Sequence, residues 1–338
     1  MQFLTSLPHR HFPIDRLPTP GLTGAAHALA GSDAVRNVAL DIALHLHMAP
    51  GASGRAHVRA LEAGGLEVVV VSTGTLKLER ASFNPDVRVL TDHWHDDKGD
   101  CMLVRVLDGP KAVDLPFGVM EHALGGAQFS GDAWAMSAGA AGITLLVIDG
   151  LGHGPLAENA ALAGVEALRG MTPLSPAEDL RRVHDALRGT VGAAGAVARL
   201  DPAHKFVDYG GIGNIDAALI TDDRRAGLVS YPGVVGHGMP DFRTYRHVIG
   251  GKTHLVMHTD GVRASWGPAR YPGLFLRHPA LISAVLFRDC WRQSDDALIF
   301  VVEVSREAQT TLATMSVEVG RGSFRVGEPG VISSSLGD

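Results

Sequence analysis

Two cysteines, Cys101 and Cys290, are all that the chain has in 338 residues. They lie far apart, without a CxxC or Cys/His finger spacing, which argues against a disulfide framework and structural zinc and reads as two ordinary thiols of a reducing compartment. Aromatic residues are scarce, at 6%, so the sequence offers few obvious anchors for an interface. Lysine and arginine form no block, and the formal net charge is −6. Neither a nucleic-acid footprint nor a patch for an anionic membrane is visible. No run approaches the ~18 apolar residues that a membrane span needs. The opening MQFLTSLPHRHFPID lacks the basic flank and long apolar core of an export signal. The expectation is a soluble, cytoplasmic protein. Apolar material, by contrast, is ample: 46% of the residues are hydrophobic, enough for two cores.

One stretch organises the rest, residues 143–154, ITLLVIDGLGHG. Residues 143–148, almost all β-branched or leucine, read as a short buried strand, and Asp149 follows at once on glycine-rich backbone. A carboxylate is thereby delivered to a strand end. The arrangement recurs in residues 255–259 (LVMHT), a strand-like run that ends at Asp260-Gly261. A third case is its mirror image: Asp295-Asp296 precedes residues 297–304 (ALIFVVEV), so this carboxylate marks a strand start, where an antiparallel neighbour places the ends of the others. Three acidic strand ends can then meet on one edge of a sheet. Asp132, in SGDAWAM ahead of the first strand, is a candidate fourth.

Taken in order, residues 1–22 carry four prolines and two histidines without periodicity and read as an irregular leader. The spacing of Val35, Val38, Ala39, Ile42 and Leu46 predicts a helix that Asp33 can cap and that glycines at 51 and 54 end. Residues 56–63 and 66–72 read as strands joined at Gly64-Gly65, residues 86–90 begin another element, and residues 101–107 form a closing strand. Between them, residues 91–100 (TDHWHDDKGD) read as a polar loop. Its DHWHDD cluster could bind a metal, yet a solvated connection is the commoner outcome for such a stretch. His45 and His47 point to different helix faces and make no ligand pair. Two prolines and mixed charge in residues 108–116 place a domain boundary there.

Beyond it a helix runs from Pro155 to Leu168, proline being favoured at a first helical position. A second opens on Ser175-Pro176-Ala177-Glu178, a capping box, and ends near Gly189. Strands are predicted at 194–200, 205–209, 216–221, 227–231 and 254–259, with turn signals at Asp201-Pro202, 210–214, Asp222-Asp223 and Pro232-Gly233. The expected class is α+β: a mostly antiparallel sheet set with two adjacent helices, preceded by a smaller α/β domain. The tail after Val304, rich in glycine and serine at its end, is expected to be mobile in parts.

Four aspartates gathered without basic neighbours would repel one another in a dry site, so they need cations. All-oxygen ligands select magnesium or manganese over zinc, and two such ions about 3.5 to 4 Å apart can clamp a phosphoryl group and a nucleophilic water. A glycine after Asp149 lets a backbone carbonyl join the ligands. A lone Asp-Gly usually caps a turn; three acidic strand ends in one domain make that reading weaker. Paired carboxylates also serve glycoside hydrolysis, which has no need of a glycine-rich loop after the strand.

SGDAWAM, VIDGLGHGPLAENAA, YGGIGN, VMHTDGV and SDDALIFVV resemble, in that order, the motifs of metal-dependent protein phosphatases of the 2C type, and more narrowly the bacterial SpoIIE/RsbX-like branch, in which DG-x-G-x-G replaces DGHGG. The resemblance covers about residues 118–303. It implies a sandwich of two antiparallel sheets flanked by helices, over residues 117–304, with a two-metal centre of Mn2+ or Mg2+ on one edge. Asp132, Asp149, the carbonyl of Gly150, Asp260 and Asp295 match its metal positions, Asp149 holding the metal-bridging water. Asp296 matches the position beside the last ligand and is not taken as one. His153 does not stand where the histidine of DGHGG does and is assigned no acid role. Gly210, Gly211, Gly213 and Asn214 would shape the floor of the site.

Residues 23–110 resemble, more faintly, an RsbT-like ATP-binding domain of the GHKL histidine-kinase superfamily. That family places a glutamate and a magnesium-holding asparagine on the helix and an adenine-binding aspartate in a DxGxG box. This sequence has Asp41, His45 and Ser72 there, and the glycine-rich lid is missing, so the phosphates have no backbone cradle. The implied domain is degenerate, without ATP binding, and regulatory or dimerising. Together the resemblances imply a serine/threonine phosphatase acting on a phosphorylated regulatory protein, of STAS or anti-anti-sigma type, in a partner-switching or stressosome-type pathway, with a homodimer possible. Two rivals remain: a catalytically silent scaffold that binds such a partner, and a serine kinase in the first domain, against which the missing asparagine and aspartate count.

Overall fold

The computed structural model describes residues 2–5, 9–14, 20–61, 64–79, 84–112, 114, 116–126, 129–139, 142–169, 174–201, 205–221, 224–304 and 317–320. The first half runs β1 (Gln2–Thr5), β2 (His9–Ile14), α1 (Pro20–Leu29), α2 (Asp33–His45), β3 (Leu46–Met48), β4 (Gly54–Ala60), β5 (Leu66–Ser72), β6 (Leu76–Leu78), β7 (Val87–Asp96) and β8 (Gly99–Asp108). The second runs β9 (Phe117–His122), β10 (Asp132–Gly139), β11 (Gly142–Gly150), α3 (Pro155–Glu166), α4 (Pro176–Ala186), β12 (Ala193–Asp201), β13 (Phe206–Ile212), β14 (Asp216–Thr221) and β15 (Arg224–Gly227). It continues through β16 (Ser230–Tyr231), β17 (Tyr245–Val248), β18 (Thr253–His258), α5 (Pro279–Cys290), β19 (Ala297–Val304) and β20 (Val317–Gly320). No helix of the described residues is long and apolar enough to cross a membrane.

Three sheets account for most strands. The first is antiparallel, in the order β2-β4-β5-β8-β7. The larger sheet of the second half is ordered β1-β20-β10-β11-β12-β13-β16, with β17 also on β13, and the smaller β15-β14-β18-β19-β9. These last two face each other as a sandwich. Leu145 and Val147 of β11 and Leu255 and Met257 of β18 meet in the core between them, where Phe117 stacks on Phe300 at 5.5 Å. The alternate residues Leu146 and Ile148 point outward to Val165 of α3 and to Leu180 and Val183 of α4. A strand buried on both faces reads as a continuous apolar run, which is why ITLLVI lacks alternation.

The helix α5 covers the outer face of the smaller sheet, packing Leu281 and Val285 with Ile299 and Val301. Its far side is not solvent. Val69 of β5 and Cys101 and Leu103 of β8 belong to the same core, so α5 is sandwiched between two sheets, and α1 and α2 cover the remaining face of the first. A buried polar network reinforces this seam. Arg105 donates to Glu67 (2.8 Å), to Asp114 (2.6 Å) and to the carbonyl of Phe117 (2.7 Å), and His278 Nε2, at the start of α5, lies 3.0 Å from Asp114. Burial alone would push the Glu67 carboxyl up, but the Arg59 and Arg105 guanidiniums outweigh it and hold it down at about 2.

The sequence reading differs from this architecture at definite places. Residues 91–100 are a β-hairpin and not a loop, because alternate polar side chains have separate tasks: Asp92 accepts from the His278 amide at the start of α5 (2.8 Å), and Asp96 binds Arg288 near its end. On the other strand face His93 and His95 both bind the buried Asp100. The leader contains β1, β2 and the start of α1, and β20 lies within the tail, paired with β1 and β10. Apart from β20, the tail expected to be mobile lies outside the described residues. The strands β9, β10 and β17 and the helix α5 were not anticipated. Strand β13 runs on through Gly210 and Gly211, where a turn was expected: Gly211 pairs with Ala196 on one side and Ser230 on the other, and the Ser230 and Tyr209 hydroxyls crowd the place of its missing Cβ. The helices α3 and α4 begin as expected, α4 with both halves of its capping box.

Candidate metal centre

The acidic strand ends meet, but on the edge of a sandwich and not of one sheet. Antiparallel register sets Asp132 at the start of β10 directly opposite Asp149 near the end of β11, both in the larger sheet. Asp260 follows β18 and Asp295 precedes β19, neighbours in the smaller sheet whose pairing brings that end of β18 beside the beginning of β19. Thr259 joins the two pairs. Its hydroxyl donates to Asp132 Oδ2 (2.7 Å), accepts from the Leu298 amide (3.0 Å), and its own amide donates to the Leu298 carbonyl (3.0 Å). Sequence reading missed this residue; the only signal was its place before Asp260 in VMHTDG.

The glycines after two of the aspartates are there for close approach. A Cβ on Gly150 would lie 2.1 Å from the Ala157 carbonyl oxygen, and one on Gly261 would lie 1.9 Å from the Asp296 carbonyl oxygen. Backbone contacts that short admit no side chain. The Gly150 amide donates to the Gly131 carbonyl (2.8 Å), which fixes the backbone beside Asp132. Asp296 is a brace: its carboxylate accepts from the amides of Leu124 (2.7 Å) and Gly131 (2.6 Å). Asn214 donates to Asp260 Oδ2 (2.7 Å), beside Gly213 in a left-handed turn at the end of β13. Of the four residues expected at the floor, these two are at the site edge, and Gly210 and Gly211 lie within the strand.

Three of the four carboxylates, Asp132, Asp149 and Asp295, are raised by burial and by one another's charge. Burial first, and then the charges of Asp260, Asp295 and Asp296, push Asp149 up to about 8. Asp132 is raised well above the usual carboxylate range by burial and by Asp149, against the opposing hydrogen bond from Thr259. Asp295 is raised by burial and by Asp260, with His153 opposing weakly. Among the described residues no three His, Cys, Asp or Glu side chains are already closed round a single point. The donor set nonetheless fits hard divalent ions: oxygen only, partly dry, and repelling itself in the absence of positive charge.

The DHWHDD cluster serves the α5 seam described above. At the positions compared with the ATP-binding family, His45 Nδ1 lies 2.8 Å from the Asp41 carbonyl and 3.3 Å from its carboxylate, and Ser72, buried at the end of β5, accepts from the Gly74 amide (3.1 Å).

No protein-family model matches the chain, and no curated protein matches it. Solved structures do. One, from work on the bacterial stressosome as a modular system adapted to control secondary messenger signalling, has 23% identity and a TM-score of 0.52 over 56% of this chain and 99% of that one. RsbX in complex with magnesium has 19% identity and a TM-score of 0.48 over 55% of this chain and 94% of that one. The serine/threonine phosphatase PstP/Ppp of Mycobacterium tuberculosis has 12% identity and a TM-score of 0.47 over 57% of this chain and 99% of that one. The likeness is one of fold: an α+β sandwich of the 2C-phosphatase kind, over a little more than half of the chain.

Proposed function

We infer that the chain is a metal-dependent serine/threonine protein phosphatase that removes phosphate from a phosphorylated regulatory protein of partner-switching type. The observation that carries this reading is the meeting of Asp132, Asp149, Asp260 and Asp295 at one edge of the sandwich, where burial and mutual repulsion raise Asp132, Asp149 and Asp295. Those four carboxylates and the carbonyl of Gly150 would hold two ions, magnesium or manganese. Such a pair, when bound, supplies an activated water and neutralises charge that develops on phosphoryl oxygens.

The chain's own groups do the positioning. Asp149 faces Asp132 across the β10–β11 pair and feels Asp260 and Asp295 from the other sheet, so it stands between the two halves of the site and is assigned to orient the attacking water. Thr259 fixes the Asp132 carboxylate, and Asn214 fixes that of Asp260. The order of the five motifs supports the substrate class, a phosphoserine or phosphothreonine, and a STAS-type partner.

Hydrolysis of p-nitrophenyl phosphate by the full chain with manganese, with magnesium and with chelator tests the reading. Turnover that needs metal and is lost in Asp149→Asn is expected. Metal-independent turnover, or full activity in that variant, contradicts it. A well-folded protein inactive under every condition, towards phosphoserine peptides as well, would favour the silent scaffold.

A further inference from the structure

On the face of the first sheet turned away from α1 and α2, a cavity of about 470 Å3 opens towards the C-terminal part of α5. Both halves of the chain line it: Arg55 and Ser72 from β4 and β5, Lys98 from the β7–β8 turn, and Phe287, Arg288 and Trp291 from α5 and the residue after it. Trp291 is held from three directions. Phe287 stacks on it at 5.4 Å, His122 meets it edge-on at 4.5 Å, and the Arg55 guanidinium lies over its ring at 4.7 Å.

The charges on this wall do not cancel. Asp289 binds both Lys98 (2.6 Å) and Arg288 (2.8 Å), and Asp96 takes the other side of Arg288. Arg55 has no carboxylate partner among the described residues, and its side chain is exposed to the opening. A guanidinium held over an indole ring and not paired with a carboxylate keeps N–H donors for an anion. A bare phosphate would leave most of the space empty, and the volume is in the range of small-molecule sites, about 300 to 1,000 Å3. The occupant therefore carries an organic body. Val71, Met120 and Phe287 offer that body an apolar wall.

We propose that this cavity binds a nucleoside monophosphate, its phosphate on the free edge of Arg55 and its base against Phe287 and the aliphatic wall. The site is separate from the acidic edge and independent of the phosphatase reading. It adjoins that edge through the backbone: the Arg292 amide donates to the Gly261 carbonyl (2.8 Å) and the Arg263 amide to the Cys290 carbonyl (2.9 Å).

Calorimetric titration of the full chain in chelator, so that no ion recruits phosphate to the acidic edge, tests this with AMP, GMP, CMP and UMP, and with adenosine and ribose 5-phosphate as the two halves. The expected result is saturable binding of at least one nucleotide, tighter than of either half. Arg55→Ala should weaken it by about tenfold or more, the loss of one charge-assisted contact, and Arg55→Lys by less. Because Arg55 is exposed, both variants should fold cooperatively as the parent does, Arg55→Ala melting only slightly lower for the lost contact with Trp291. No saturable binding of any of these nucleotides at millimolar concentration overturns the assignment, as does parent-strength binding in Arg55→Ala.

Discussion

The hydroxyl of Thr259 donates to Asp132 Oδ2 at 2.7 Å, and in doing so joins the two sheets of the sandwich at the point where their acidic ends converge. A residue that touches no substrate thereby sets the orientation of a carboxylate on the facing sheet. Outer hydrogen bonds of this kind are typically worth about 10- to 100-fold in metal affinity or activity. Thr259→Val, close to isosteric, should weaken manganese binding and lower turnover by that order, and Thr259→Ser should restore most of both. Equal activity in the valine and serine variants would remove the hydroxyl from the account.

Gly150 and Gly261 should tolerate no side chain. The clash in each case is with a carbonyl oxygen, which cannot swing aside. Gly150→Ala and Gly261→Ala should each cost about 1 to 3 kcal/mol, the usual range for overpacking, measured by denaturant unfolding. Gly227→Ala, where nothing lies within 4 Å of the added carbon, is the control and should be near neutral.

Without metal, the protein should lose stability as pH rises from about 4 to 8. Asp149 titrates at about 8 in the folded chain against an ordinary 3.8, so the folded state binds the extra proton in that interval. Deprotonation there leaves uncompensated charge. Thermal melting in chelator should therefore fall across this range, manganese should abolish the fall, and Asp149→Asn should melt higher than the parent in chelator at pH 8 while losing turnover.

The seam on the other side of α5 has the opposite sign. Glu67 is held at about 2 against an ordinary 4.5, so its contribution is full above pH 4.5 and is lost as pH falls towards 2. Arg105→Met, which leaves Glu67 buried beside Arg59 alone, should cost about 3 to 5 kcal/mol and shift acid unfolding to higher pH. An unchanged acid midpoint would show that the network carries no stability.

The strand-end aspartates were legible because an apolar run followed at once by Asp-Gly is a local pattern, present twice at Asp149 and Asp260, and Asp295 before an apolar run is its mirror image; that they come from two sheets was not. Helix α4 was legible because its capping box lies within four residues. What was not legible depended on partners far away in sequence. The helix α5, PALISAVLFRDC, has no polar face because sheets cover both its sides, so no amphipathic period marks it. The DHWHDD stretch looked like a loop since Asp92 and Asp96 have their counterparts at the two ends of α5, 186 positions on in the case of Asp92 and His278. Thr259 gave no signal beyond adjacency, its partner Asp132 being 127 positions away.

The central claim is that the acidic edge is a metal centre. Isothermal titration of the full chain with Mn2+, parent beside Asp149→Asn, tests it most directly and without reference to any substrate. The account predicts saturable binding of two ions in the parent, as for a paired centre, with proton release because raised carboxylates must ionise, and loss of at least one ion in the variant. An absence of saturable binding in a folded parent, or the same binding in Asp149→Asn, would contradict it.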